Sequence, residues 1–202
     1  MPIFITHRIN KVNDLLKVNP KDGIETDIRD FNKELVLSHD PYKNSEKFKK
    51  FIKFTKRRLI FLNIKSYGII NDILKIIKNK KNIYFLDLTF SEIDYLISKK
   101  LSNKIILRFS AYEKFDLKKK YFKKIDWIWY DFFKNKYISK KEYLYLNKFK
   151  KKICLVSPEL LNKSKQDVIK FIKHLNKNNI NVDAICTKNK FILLWKKYYK
   201  YK

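Results

Sequence analysis

Glu25 and Asp27 stand two residues apart in Gly23-Ile24-Glu25-Thr26-Asp27, at the end of a short apolar run. On a strand, side chains at i and i+2 share a face, so both carboxylates point the same way. Two carboxylates that close repel, which raises a pKa unless a cation separates them. Such oxygen ligands suit a hard divalent ion, Mg²⁺ or Ca²⁺. A rim salt bridge to Arg29 or a nearby lysine is the plainer alternative. His7 closes the first apolar run, and His39 follows Leu35–Leu37 within Ser38-His39-Asp40-Pro41. Imidazole titrates near neutrality and can take and return a proton, so two of them beside an ion suit general acid–base work. His174 lies on a lysine-rich helical segment and has no such context.

These groups need elements to hold them. Eight short runs rich in Ile, Val, Phe and Tyr read as buried parallel strands: Ile3–Thr6, Gly23–Ile28, Leu59–Ile64, Ile83–Leu88, Ile105–Phe109, Ile125–Tyr130, Ile153–Val156 and Val182–Cys186. Amphipathic segments alternate with them, at Tyr67–Lys78, Glu92–Lys100, Lys140–Phe149 and Lys165–Asn176. Leu35–Leu37 adds a hairpin-like extension after the second strand. Strand–helix alternation with this strand count predicts an α/β fold, a small (β/α)₈ TIM barrel in one domain over residues 1–202, its core spanning about 2–195. An open doubly wound sheet is the competing architecture. Polar groups collect at the C-terminal ends of the runs: His7 and Arg8, Glu25 and Asp27, Asn63 and Lys65, Asp87, Arg108 and Ser110, Asp131, Ser157 and Glu159, and Thr187. In a barrel those ends open onto the face that carries catalysis.

The motifs at those strand ends resemble a known family. His7-Arg8, then Gly23-Ile24-Glu25-Thr26-Asp27, then His39-Asp40, then Asn63-Ile64-Lys65 follow the order found in glycerophosphodiester phosphodiesterases, relatives of the phosphatidylinositol-specific phospholipases C. The likeness covers Ile3–Lys65; beyond it only the strand rhythm and Thr187 correspond. The resemblance implies that His7 and His39 act as general acid and base. It implies one divalent cation, Mg²⁺ or Ca²⁺, held by Glu25, Asp27 and Asn63, with Arg8 and Lys65 on the substrate phosphate. The substrate would be a small glycerophosphodiester-like molecule. Arg108 is a further phosphate contact or the partner of Asp87 or Asp131. Three departures stand out: Ile9 replaces the glycine that usually follows His-Arg, Ile9–Asp14 replaces a glutamate-rich motif, and Asn63 replaces a glutamate. The kinship with phospholipases C leaves open release of a cyclic phosphate, and Asn63 leaves open a degenerate barrel that only binds phosphorylated or polyanionic ligands.

Composition bounds the rest. The 202 residues include 48 Lys+Arg against 20 Asp+Glu, a formal net charge of +28. Nearly all of that basic excess is lysine, with five arginines, and it accompanies an abundance of Asn, Ile, Tyr and Phe. That pattern reads as AT-rich coding bias and not as a dedicated nucleic-acid surface, for which Arg is the usual reader. Lysine runs such as Lys118–Lys120, Lys123–Lys124 and Lys150–Lys152 read as solvated helix faces, open to peripheral contact with anionic lipid or another polyanion. Trp127 and Trp129 read as core, and Ser157-Pro158-Glu159 lacks a nucleophile-elbow context. Cys154 and Cys186 sit in apolar runs and are too few for a disulfide framework. No apolar stretch reaches the ~20 residues of a membrane span, and the expected location is cytoplasmic.

Overall fold

The computed structural model describes residues 1–78, 80–113 and 119–201. Among these residues ten strands form: β1 (Ile3–Thr6), β2 (Gly23–Phe31), β3 (Glu34–Leu37), β4 (Glu46–Lys47), β5 (Ile60–Ile64), β6 (Ile83–Leu86), β7 (Ile106–Phe109), β8 (Trp127–Tyr130), β9 (Lys152–Val156) and β10 (Ala184–Thr187). The helices are α1 (Val12–Leu15), α2 (Phe48–Phe51), α3 (Ile70–Ile77), α4 (Phe90–Ser98), α5 (Lys119–Phe122), α6 (Lys140–Lys148), α7 (Lys165–Lys177) and α8 (Ile192–Tyr198). Each of the eight expected runs supplies a strand, so the fold is mixed α/β. Its residues group into two compact units, Met1–Ile5 with Ile106–Lys202, and Thr6–Ile105.

In Thr6–Ile105, β2, β5 and β6 are parallel neighbours, with Asp27 opposite Asn63 and Asn63 opposite Leu86. β5 is buried along its whole length, as is Gly23–Ile28 of β2. β5 is apolar but for Asn63, as a strand covered on both sides requires, whereas one face of the buried part of β2 carries Glu25 and Asp27. β2 then runs on past the buried section into a hairpin with β3, and β4 pairs β3 antiparallel. The turn between β2 and β3 is Asn32-Lys33, both at positive φ. In the other unit β7, β8, β9 and β10 pair in parallel succession. β8 and β10 are buried throughout, and Trp127 and Trp129 belong to that core.

The helices begin and end on readable signals. α4, α6 and α7 each start with a capping box, Thr89 with Glu92, Ser139 with Glu142 and Ser164 with Asp167. The side-chain oxygen and carboxylate satisfy backbone N–H groups that the first turn leaves over. All three end in the same pair of bonds from the two residues past the cap, Lys100 and Leu101, Lys150 and Lys151, Asn179 and Ile180. This Schellman ending puts its first residue in the left-handed region, where glycine is the usual choice. Here Lys100, Lys150 and Asn179 take it, with φ of 59°, 52° and 49°. α3 starts three residues later than the amphipathic pattern of Tyr67–Lys78 because Gly68, at φ 83°, makes a turn before it.

One lysine of those runs departs from the solvated-face reading: Lys151 is buried and its Nζ donates to Ile125 O at 2.6 Å. Outside the runs, Lys104 Nζ caps the carbonyls of Lys80 and Lys81. Lys118–Lys120 lies outside the residues whose side chains are described. Among the described residues no helix is long and apolar enough to cross a membrane.

Candidate active site

The site forms along the buried section of β2 and beside it near the end of β5, within Thr6–Ile105. Because Glu25 and Asp27 sit two apart on β2 and Asp27 is in register with Asn63, three oxygen-bearing side chains are brought together. Glu25 and Asp27 are 0% and 1% exposed, and Asn63 is buried. Asn63 Nδ2 donates to Glu25 Oε1 at 3.0 Å. Its Oδ1 is buried with no protein donor. A buried amide oxygen left without a partner is costly, which makes it a place where a cation or water gains by binding.

The segment after β1 covers this cluster from the other side. Arg8 takes φ 56°, and that turn lets three successive residues follow the buried section of β2. Arg8 N donates to Glu25 Oε2 at 2.8 Å, and Ile9 N to Glu25 O at 2.9 Å. Asn10 Oδ1 accepts from Thr26 Oγ1 and from Asp27 N, both at 2.9 Å, and its Nδ2 donates to Asp27 Oδ2 at 3.0 Å. His7 Nε2 lies 3.7 Å from Glu25 Oε2. The cations beside Asp27 are Arg8, its Nε 3.6 Å from Oδ2, and Lys65, its Nζ 3.6 Å from Oδ1. Lys65 also reaches Asp87 Oδ2 at 3.7 Å.

Electrostatically the pair is poised. Burial, and then the neighbouring Asp27, push Glu25 up to about 7, against the pull of Asn63, the Arg8 N–H and Lys65. Two carboxylates that cannot both ionise cheaply are what a divalent cation relieves. The donor set, two carboxylates and an orphaned amide oxygen, fits a hard ion. Among the described residues no group of three His, Cys, Asp or Glu side chains is placed to hold a metal, so an ion here would depend on Asn63 for its third protein ligand.

His39 is placed differently. It follows β3, and Arg29 holds that turn by donating to Ser38 O and His39 O. Arg29 is thereby committed away from Glu25 and Asp27. His39 Nδ1 is 3.0 Å from Asp40 Oδ1, and the ring is 45% exposed. Lys43, and then His39, hold the Asp40 carboxyl down at about 2. A carboxylate on one ring nitrogen fixes the imidazole's tautomer and presents the other nitrogen to a reactant.

The strand ends of Ile106–Lys202 carry two other networks. Arg108 pairs with Asp131, which also accepts from Trp129 Nε1 and Phe132 N, and with Glu113 at 3.8 Å. Glu159 accepts from Ser157 Oγ, Thr187 Oγ1 and Lys188 N, and Trp195 Nε1 donates to Ser157 Oγ. Arg108 thus has the carboxylate partnership that the sequence offered as one of its two roles. A cleft of about 670 Å³ in Thr6–Ile105, walled by Lys33, Lys49, Lys53, Tyr67 and others, includes none of the expected catalytic or ligating residues. Asn10 is the site residue that sequence reasoning missed. Its only signal is a polar residue two places after Arg8, inside the segment that departs from the family's motif.

Comparison with models of known families finds no match, and no curated protein matches the chain. Solved structures do match. A provisionally assigned glycerophosphodiester phosphodiesterase from Galdieria sulphuraria is 17% identical over 96% of each chain, with a TM-score of 0.71. A glycerophosphoryl diester phosphodiesterase from Parabacteroides distasonis is 9% identical, covering 100% of this chain and 88% of its own, also with a TM-score of 0.71. The resemblance first read from four strand-end motifs is therefore one of overall structure as well: this chain has the fold of these phosphodiesterase structures.

Proposed function

We propose that the chain is a metal-assisted phosphodiester hydrolase acting on a small glycerophosphodiester-like substrate, its eight parallel strands those of a single (β/α)₈ barrel. The observation that carries this reading is the buried Glu25–Asp27 pair, hydrogen-bonded through Glu25 to Asn63, whose own oxygen is left without a donor, and flanked by His7, Arg8 and Lys65. Glu25, Asp27 and Asn63 would hold one divalent cation, Mg²⁺ or Ca²⁺. Bound there, it supplies Lewis-acid polarisation of a phosphoryl oxygen. The chain's own cations do the rest of the binding. Arg8 and Lys65 are partly exposed and bring positive charge to the non-bridging oxygens, where charge grows as the leaving group departs.

His7 and His39 divide the proton transfers. One takes the proton of the attacking water or hydroxyl and the other returns one to the leaving alkoxide. Asp40 keeps His39 oriented, as Glu25 lies beside His7. Lysine-rich faces would draw anionic substrate or an anionic lipid surface toward the protein, without specific nucleic-acid binding, and a cytoplasmic location fits this chemistry.

The test is hydrolysis of a glycerophosphodiester panel and a chromogenic phosphodiester with Mg²⁺, Ca²⁺ or EDTA. Metal-dependent turnover that disappears in His7→Ala is the expected result. Product analysis by ³¹P NMR separates hydrolysis from release of a cyclic phosphate. Binding of phosphorylated ligands with no turnover under any ion would favour the degenerate-barrel alternative that Asn63 motivates.

A further inference from the structure

We infer that Asn10 is a positioning residue for the reaction, fixing the Asp27 carboxylate in the orientation the site uses. The inference rests on the proposed function for its chemistry and on geometry for its placement. Asn10 makes three hydrogen bonds, all to Thr26 and Asp27 in the middle of β2 and all at 2.9–3.0 Å. An amide offers an acceptor and a donor in one rigid plane. Asn10 uses the acceptor on the Asp27 backbone N–H and the Thr26 hydroxyl, and the donor on the Asp27 side chain. It therefore grips Asp27 at two points, main chain and carboxylate, and leaves the χ1 rotation of that carboxylate little room.

The consequence falls on Asp27 Oδ1. With Oδ2 held by Asn10 Nδ2, the other oxygen is turned toward Lys65. That is the oxygen left for a cation, or for presenting Lys65 to a phosphate. Asn10 itself lies within a stitched sequence, since Arg8 and Ile9 bond to Glu25 one step earlier along the same strand. A glycine in the place of Ile9 is not needed for this path, because the positive φ is taken by Arg8. Groups that hydrogen-bond a ligating carboxylate commonly change metal affinity or activity by about 10–100-fold when removed.

The experiment compares Asn10→Ala and Asn10→Ser with the unaltered full-length chain. Three quantities are measured: Mn²⁺ affinity by electron paramagnetic resonance, kcat and KM with a chromogenic phosphodiester, and the Asp27 side-chain conformation in a crystal structure of the variant. The expected results are a Mn²⁺ affinity and a kcat both lower by about 10–100-fold, little change in KM, and an Asp27 carboxylate rotated off Lys65. Combining Asn10→Ala with Asp27→Asn then adds little to the loss from Asp27→Asn alone. Asn10→Ser, which keeps a short hydrogen-bonding group, covers the case in which Asn10→Ala does not fold. The inference is overturned if the variants melt earlier yet keep Mn²⁺ affinity and kcat per folded molecule. It is equally overturned if Asp27 holds its orientation without Asn10. If the unaltered chain neither binds Mn²⁺ nor turns over substrate, the proposed function fails by itself, and the Asp27 conformation still decides the role of Asn10.

Discussion

Glu25 in Thr6–Ile105 and Glu159 in Ile106–Lys202 are both cut off from solvent, at 0% and 2% exposure, and they are provided for in opposite ways. Glu159 accepts from two hydroxyls and a backbone N–H, and the Trp195 indole supports one of those hydroxyls. Nothing in that network is missing a partner or facing a like charge. Glu25 has a second carboxylate beside it on the same strand and an amide whose oxygen is left over. The difference separates a carboxylate that holds a structure together from one that the structure holds in readiness. Burial alone does not distinguish them; the balance of donors and charge does.

Substitutions at the two glutamate sites should separate activity from stability. His7→Ala is expected to lower turnover by about 10²–10⁴-fold, the contribution of a positioned acid or base, while leaving the melting temperature nearly unchanged. Retained turnover would remove His7 from the chemistry. Glu159→Ala should do the reverse and destabilise the chain by about 2–4 kcal/mol, because the Ser157 and Thr187 hydroxyls, both buried, then lose their acceptor. Denaturant unfolding measures it, and a loss under about 1 kcal/mol would mean the network relaxes around the gap.

The pH dependence sharpens the contrast further. Glu25 is raised from 4.5 to about 7 on folding, so the folded chain holds that proton more tightly than the unfolded one. Its contribution to stability is full below about 4.5 and is lost as the pH rises to about 7. The shift corresponds to roughly 3 kcal/mol across that window, absent a bound cation. Glu25→Gln should flatten this part of the stability curve, and added Mg²⁺ should do the same to the unaltered chain. An unaltered slope in Glu25→Gln would assign the dependence elsewhere. The smallest effect is expected at the helix ends. Lys100→Gly and Lys150→Gly should each stabilise by about 0.5–1 kcal/mol by relieving left-handed backbone. Thermal melts would reveal it; a loss of stability would show that those lysines earn their place by contacts instead.

Much of the fold was legible because its strands are buried on both faces and so read as unbroken apolar runs, bounded within two residues of where β1, β5, β6 and β7 begin and end. The carboxylate pair was legible for a related reason, since strand period decides which side chains of one strand share a face; Asn63 came from the resemblance alone, and its register with Asp27 is a cross-strand contact that period does not reveal. What the sequence hid depends on contacts distant along the chain. Asn10 reads as an ordinary polar loop residue, and its role exists only because Arg8 bends the backbone onto β2 seventeen residues later. β4 and the one-turn helices α1 and α2 are too short to leave a period. His39 was placed after its strand correctly, but its solvent-facing pairing with Asp40 could not be read from spacing.

Thirteen non-glycine residues among those described take positive φ, in a chain with only two glycines. Each such turn carries backbone strain in the native state, yet each residue there is also less free than glycine when the chain is unfolded. The turns therefore trade native comfort for a smaller denatured ensemble. A protein made this way loses less conformational entropy on folding than a glycine-rich protein of equal length.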